Sequence, residues 1–376
     1  MTTAVYLDYN ATAKVRPEAA AAVAGALAAG GNPSSVHSDG RAARALLEGA
    51  RADVAALVGA APAQLTFVSG GAEANALAIE SAIAAGYGRL IVGATEHDTV
   101  RETAFAAGLA VDIWPVTGEG VADLAWLAQT LRQGAPPLVC LMLANNETGV
   151  VQPVGEAASI VRQADGWLHV DAVQAAGKIA VDFGALGADT LSLSAHKLGG
   201  PQGCGALVAG SRASVSRRLH GGGQESGRRA GTENTPGIAG FGAAARAALR
   251  DLPDMARQAT WRDGLADEVT GAGASVIGLG APRLPQTLCF ATEGFASDLQ
   301  VMALDLAGVM VSAGAACSSG KVKASGVVAA MGRSDLAAFS IRVSGGWATT
   351  AADWRLCGEA WLEALARRTQ RRREVA

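Results

Sequence analysis

Lys197 lies in the run Ser192-Leu193-Ser194-Ala195-His196-Lys197-Leu198-Gly199-Gly200-Pro201, where hydroxyls, an imidazole and an amine directly precede a glycine turn. A lysine held there can form a Schiff base with a carbonyl cofactor, and its polar neighbours can hold a phosphate. The chain has only five lysines, Lys14, Lys178, Lys197, Lys321 and Lys323. Lys14 falls in an N-terminal loop. Lys178 precedes a β-like run and is expected to be exposed. Lys321 and Lys323 flank a loop of small residues. Lys197 alone combines a strand-end position with polar company, and one reading of it is a pyridoxal-phosphate enzyme.

Four other segments carry chemistry at the ends of expected strands, where an open α/β sheet delivers side chains to a crevice. Ser69-Gly70-Gly71-Ala72-Glu73 opens a helix, and its free N–H groups suit a phosphate, although an ordinary strand-to-helix turn has the same look. Thr95-Glu96-His97 offers a planar imidazole that could stack on a ring and move protons, or be structural only. Asn145-Asn146-Glu147-Thr148-Gly149 is turn chemistry or a pair of amides facing a ligand. In His169-Val170-Asp171-Ala172-Val173-Gln174, Asp171 is a helix cap or a carboxylate for a pyridine nitrogen, with Gln174 one helical turn on. His169 and Asp171 lack a third ligand nearby, so no metal site is expected.

Two loops stand apart. The glycine-rich stretch from His220 to Asn234 includes Arg228, Arg229 and Thr232; it reads as a flexible solvent loop or, since loops of this length are often functional, as part of a site. Gly314-Ala315-Ala316-Cys317-Ser318-Ser319-Gly320 has side chains too small to anchor it, so mobility is expected. A thiol there is strongly nucleophilic even when mostly protonated.

The elements that must position these residues follow from periodicity. Helical patterns cover 17–29 and 41–58. Short β-rich runs then alternate with helices: 65–68 with 72–85, 90–93 with 99–107, 111–115 with 123–133, and 138–143 with 155–163. Runs at 167–170, 190–193 and 206–209 follow. This alternation implies an α/β fold with a mostly parallel sheet covered by helices. Beyond Asn234 the rhythm changes to a long helical region, 236–269, interrupted at Pro253. Strands at 276–279, 288–290 and 341–343 and helices at 297–306 and 351–368 come next. The length of 376 residues predicts two domains. The division is placed at 15–250 for a large domain, with 1–14 and 251–376 forming a small one.

Composition excludes several classes. Half of the residues are apolar and the net charge is −3, which gives no general affinity for nucleic acid or an anionic membrane. The N-terminus lacks the pattern of a secretory signal, and no apolar run is long enough to span a bilayer. Five scattered cysteines without metal-ligand spacing predict neither a disulfide framework nor a zinc site, and fit a reducing cytoplasm. The basic run from Arg367 to Arg373 reads as a solvated helix end, with docking of an acidic partner as the second reading.

Taken together, these segments resemble the cysteine desulfurases of the nitrogen-fixation and iron–sulfur-cluster type, within the class-V aminotransferases. Tyr6-Leu7-Asp8-Tyr9-Asn10-Ala11-Thr12 and Gly31-Asn32-Pro33-Ser34-Ser35-Val36-His37 are similar to the family's first two motifs. The Asn145–Gly149, Asp171–Gln174, Ser194–Lys197, Gly221–Thr232 and Cys317 segments follow in the family's order. The resemblance implies the type I fold of pyridoxal-phosphate enzymes: a large domain with a mostly parallel seven-stranded sheet, and a smaller α+β C-terminal domain that carries the Cys317 loop.

It also implies roles. Lys197 would anchor pyridoxal 5′-phosphate and later act as the base at Cα. Asp171 would pair with the pyridine nitrogen and Gln174 with the phenolic oxygen. His97 would stack on the ring and shuttle protons. Ser194, His196 and the Gly71–Ala72 backbone would hold the phosphate. Thr232 would reach the phosphate of a neighbouring subunit, which makes a homodimer. Asn146 and Arg342 would bind the carboxylate of L-cysteine. Cys317 would take the sulfur as a persulfide, leaving L-alanine, and pass it to a protein acceptor. An aminotransferase or a selenocysteine lyase of the same family is the alternative, and an inactive sulfur carrier is the third.

The sequence departs from the family pattern in places. Ala72 and Ala76 stand where threonine and asparagine are common, and one lost hydroxyl donor to a phosphate removes about 0.5–1.5 kcal/mol, or more where the bond is charge-assisted. Trp347 stands where arginine is frequent, and the extended C-terminal tail of the cluster-building enzymes is not seen.

Overall fold

A computed structural model describes residues 4–314 and 324–375, with side chains described up to residue 370. Thirteen strands are present among them. They are β1 (Val5–Tyr6), β2 (Leu65–Val68), β3 (Arg89–Gly93), β4 (Ala110–Trp114), β5 (Leu138–Met142), β6 (Trp167–Asp171), β7 (Thr190–Ser194), β8 (Gly205–Ala209), β9 (Ser275–Val276), β10 (Thr287–Ala291), β11 (Val309–Met310), β12 (Ser312–Ala313) and β13 (Ser340–Ser344).

Seven of them form the large sheet in the order β2-β8-β7-β6-β5-β3-β4. Only β8 runs against its neighbours. Strands β5 to β8 are buried along their whole length, which is why they read as continuous apolar runs. β4 closes one edge and is only partly covered. The order reverses between β3 and β5: β4 lies to one side of this point and β6 and β7 to the other. A ligand crevice is expected at the carboxyl ends of the strands there. The α/β fold with a mostly parallel seven-stranded sheet is the architecture that the resemblance implies.

Helix starts follow local capping. His37 Nδ1 accepts from Gly40 N at 3.3 Å, so the second helix begins at Ser38 and runs to Leu57, three residues ahead of the periodic pattern. Asp123 caps the helix Leu124–Thr130 through Trp126 N at 3.0 Å, and this helix ends short of Gln133. The long helical region is two helices, Thr235–Arg250 and Leu252–Gly271, broken at Asp251 with Pro253 in the first turn of the second. The strand expected at 276–279 is only Ser275–Val276, and the last helix extends from Ala351 to Val375.

A second sheet, β12-β13-β10-β9, is antiparallel. The N-terminal segment joins this part of the molecule. β1 pairs in parallel with β11, and Asp8 bridges to Ser344. Val5 and Leu7 share a core with Phe290, Trp354 and Trp361. The main core fills the space between the large sheet and its helices.

Lys178 departs from expectation. It is 4% exposed, because its ammonium turns inward to Gln174 Oε1 at 2.5 Å.

Candidate active site

The carboxyl ends of the large sheet border a cavity of about 570 Å³. Of the residues singled out by sequence, Gly71, Ala72, His97, Asn146, Asp171, Gln174, Ser194, His196, Lys197 and Arg342 all line it. Thr232 does not; it is exposed and lies just ahead of the helix Thr235–Arg250. Cys317 lies outside the described residues, as does most of the loop expected to be mobile. Gly314 and Gly326, on either side of it, both line the cavity.

Lys197 sits in a single 3₁₀ turn directly after β7. Its Nζ donates to the carbonyls of Asn10 at 2.7 Å and Ala11 at 2.8 Å. Burial pushes the amine down to about 8, and the nearby Arg342 cation adds to this, while Asp8 and Asp171 oppose it. Gln174 Nε2 donates to the same Asn10 carbonyl at 2.9 Å, and its Oε1 accepts from Lys178. His196 Nδ1 lies 3.1 Å from Thr12 Oγ1. Burial, with the Lys197 and Lys178 charges beside it, pushes the His196 imidazole down to about 4.

Asp171 ends β6. Its Oδ1 accepts from Val173 N at 2.9 Å and its Oδ2 from Asn75 Nδ2 at 2.8 Å. His97 caps the helix Asp98–Ala106, with Nδ1 accepting from Thr99 N at 3.1 Å. Nδ1 is therefore an acceptor, and the ring proton sits on Nε2.

The helix Gly71–Ala84 starts with no side-chain cap at Gly70, and Gly70, Gly71 and Ala72 line the cavity together with Ser194. This close fit depends on Gly205. A Cβ there would stand 2.5 Å from the Gly70 carbonyl carbon. An anion is the natural partner of such a helix start.

Arg342 lies in the middle of β13. Its Nη2 pairs with Asp8 Oδ1 at 2.6 Å and its Nη1 donates to the Asn146 carbonyl at 3.1 Å. Its Nε is buried without a partner among the described residues. The two amides of the 145–149 turn divide the labour. Asn145 Oδ1 accepts from Glu147 N and Thr148 N, both at 2.9 Å, and so builds the turn. Asn146 faces the cavity.

The class-V aminotransferase family model matches residues 5–354. The chain belongs to the class-V aminotransferase family. A cysteine desulfurase of Cereibacter sphaeroides is 41% identical over 363 residues, covering 93% of this chain and 92% of that one. A NifS-like protein from Rickettsia africae superposes with a TM-score of 0.88 at 30% identity, over 96% of this chain and 99% of the other. A structure described as SspA in complex with cysteine matches with a TM-score of 0.78 at 28% identity, over 90% of this chain and 98% of that one.

Several residues of this class-V site carry a part that the sequence did not assign. Asn10, Asn75, Glu96 and Lys178 each make buried polar contacts at or beside the cavity. Asn75 sits four residues into the helix that follows the Gly70 turn, a position that its polarity among alanines could have flagged. Lys178 carries no such local signal. Ala76 lies outside the main cavity, on a surface groove with Arg228 and Arg229. Trp347 stacks on Arg16, 5.3 Å from ring centre to guanidinium carbon, and donates Nε1 to the Lys14 carbonyl at 2.7 Å. Among the described residues, no cluster of three or more His, Cys, Asp or Glu could hold a metal ion.

Proposed function

We propose that the chain is a pyridoxal-phosphate-dependent cysteine desulfurase, which moves the sulfur of L-cysteine onto Cys317 and releases L-alanine. The observation that carries this reading is Lys197, a buried amine held by backbone carbonyls in a cavity that also contains an uncapped helix start and a carboxylate.

These residues fit the cofactor. Gly71 and Ala72 N–H groups, Ser194 and His196 would hold its phosphate. Asp171 would face the ring nitrogen, Gln174 the phenolic oxygen and His97 the ring face. Lys197 would hold the aldehyde carbon. When bound, the cofactor supplies an electron-withdrawing ring that stores the charge left by removal of a Cα proton.

The chain's own residues then have separable tasks. An amine near 8 is about one-tenth neutral at pH 7, so Lys197 Nζ can take a proton there without a catalytic partner. Arg342 and Asn146 would bind the substrate carboxylate, and Asp8 keeps the guanidinium turned toward them. His97 presents Nε2–H as a donor. The sulfur exchange balances without an external oxidant. An S–S bond to Cys317 forms as the substrate's Cβ–S bond breaks, and the carbon skeleton takes up the proton to leave as alanine. The positions of Gly314 and Gly326 on the cavity wall support a thiol delivered from that side.

We further propose a homodimer in which Thr232 serves the partner's phosphate site, since it is exposed and lies outside the main cavity of its own chain. The large and small domains would divide at the break between the helices that end and begin at Asp251. No helix among the described residues is long and apolar enough to cross a membrane. The four described cysteines are free and buried, which supports a reducing cytoplasm.

The test is release of sulfide and alanine from L-cysteine in the presence of a reductant, by the native protein and by Cys317→Ala. The native protein is expected to release both in equal amounts, and Cys317→Ala to lose at least about a hundredfold in rate, the scale of removing a nucleophile. Undiminished sulfide release by the variant would sink the assignment of Cys317.

A further inference from the structure

A file of buried, hydrogen-bonded side chains crosses the large sheet and ends on Asp171. Trp167 Nε1 donates to Thr190 Oγ1 at 3.1 Å. Thr190 Oγ1 lies 3.0 Å from His169 Nδ1, and His169 Nε2 lies 3.0 Å from Asn75 Oδ1. Asn75 Nδ2 donates to Asp171 Oδ2 at 2.8 Å and to Thr99 Oγ1 at 2.9 Å. His169 and Thr190 are fully buried and Asn75 is 1% exposed.

The direction of this file follows from donor and acceptor chemistry. A carboxylate only accepts, so Asn75 must turn its NH₂ to Asp171. Its Oδ1, which also only accepts, then faces His169, whose Nε2 must carry a proton. Burial pushes the His169 imidazole down to about 4, so a single proton remains at neutral pH. Nδ1 is therefore an acceptor, and the Thr190 hydroxyl donates to it while its oxygen takes the Trp167 indole N–H. Apart from the second Asn75 N–H, which goes to Thr99 Oγ1, every donor points toward Asp171. Hydrogen bonds aligned in this way polarise one another, and the last one ends on a charge.

We propose that Asn75, His169 and Thr190 are positioning residues, which deliver a one-way donor chain to Asp171 and so fix its carboxylate for the cofactor's ring nitrogen. The purpose of the chain rests on the cofactor reading above; its direction rests on the side chains alone. Thr190 does not line the cavity, and the hydrogen-bonded path from it to Asp171 runs through His169 and Asn75.

The test has two parts. The first uses cofactor-free protein with ¹⁵N-labelled histidine, of which the chain has five, and long-range ¹H–¹⁵N NMR at neutral pH. Native His169 is expected to be neutral and protonated on Nε2 only. In Asn75→Leu, an Nδ1–H population is expected to appear. The second part titrates pyridoxal phosphate into the same proteins and follows the visible band. Asn75→Leu is expected to bind about tenfold more weakly and Thr190→Val a few-fold more weakly, as for loss of a charge-assisted bond and of its support. If Asn75→Leu does not fold, Thr190→Val carries the second part alone. A native His169 protonated on Nδ1, or native affinity and band position in Thr190→Val, would overturn the proposal. Failure of the native protein to take up pyridoxal phosphate would overturn the cofactor reading and with it the purpose of the chain.

Discussion

Glu96 belongs to the strand-end run Thr95-Glu96-His97, in which sequence marks His97 alone for a role. It is 5% exposed. Its Oε1 accepts from Met142 N, and its Oε2 has no partner among the described residues. Burial raises its carboxyl to about 8, with the Asp171 charge adding to the rise and the Met142 N–H opposing it. Between the ordinary value of 4.5 and about 8 the folded protein therefore keeps a proton that the unfolded chain has released. This group's contribution is fully present below about 4.5 and is lost as pH rises through about 8. Glu96→Gln, which copies the protonated acid, is expected to flatten that part of the stability–pH curve in denaturant titrations from pH 5 to 9; an unchanged slope would rule out a protonated Glu96. Polar side chains at strand ends were legible because a strand end has a fixed place in an α/β sheet. The inward turn of Lys178 was not, because it is set by Gln174 Oε1 rather than by its own neighbours in sequence.

At the level of elements, the carboxyl edge of the sheet depends on close approach of the antiparallel strand β8 to the turn before the helix Gly71–Ala84. Gly205 leaves room for the Gly70 backbone, and no side-chain motion could relieve a Cβ at 2.5 Å from a carbonyl carbon. Gly205→Ala is expected to cost about 1–3 kcal/mol in urea unfolding and to weaken pyridoxal-phosphate binding as the helix start shifts. Native stability and affinity together would contradict the close approach. The central strands were readable as apolar runs because both their faces are covered. β1, β11 and β12 were not, since each has two residues and two residues carry no period. The extension of the last helix to Val375 runs through charged residues, which a search for apolar periodicity does not reward.

For the molecule as a whole, the site is assembled from segments far apart in sequence. Asn10 comes from the N-terminal strap that also pairs with the C-terminal sheet. Its carbonyl takes Lys197 and Gln174, its Nδ2 donates to the Asn146 carbonyl at 3.1 Å and to Thr287 Oγ1 at 2.9 Å. Arg342 reaches the same cavity from β13 and meets Asp8 of the strap. The order of motifs along the chain identified the family, whereas the strap's attachment to β11 and β13 could be read only from its pairings with Val309, Met310 and Ser344. In the proposed function, sulfur removal turns on Lys197, which is fixed in the cavity, and on Cys317, which lies in sequence between the cavity-lining Gly314 and Gly326. The most direct measurement is to incubate the native, pyridoxal-phosphate-loaded protein with L-cysteine without reductant, quench with a thiol-blocking reagent and map the protein by mass spectrometry. One added sulfur on the peptide containing Cys317, matched by an equal amount of alanine, is the expected result. Alanine formed with Cys317 unmodified, or with the added sulfur on Cys140, Cys204, Cys289 or Cys357, would contradict it.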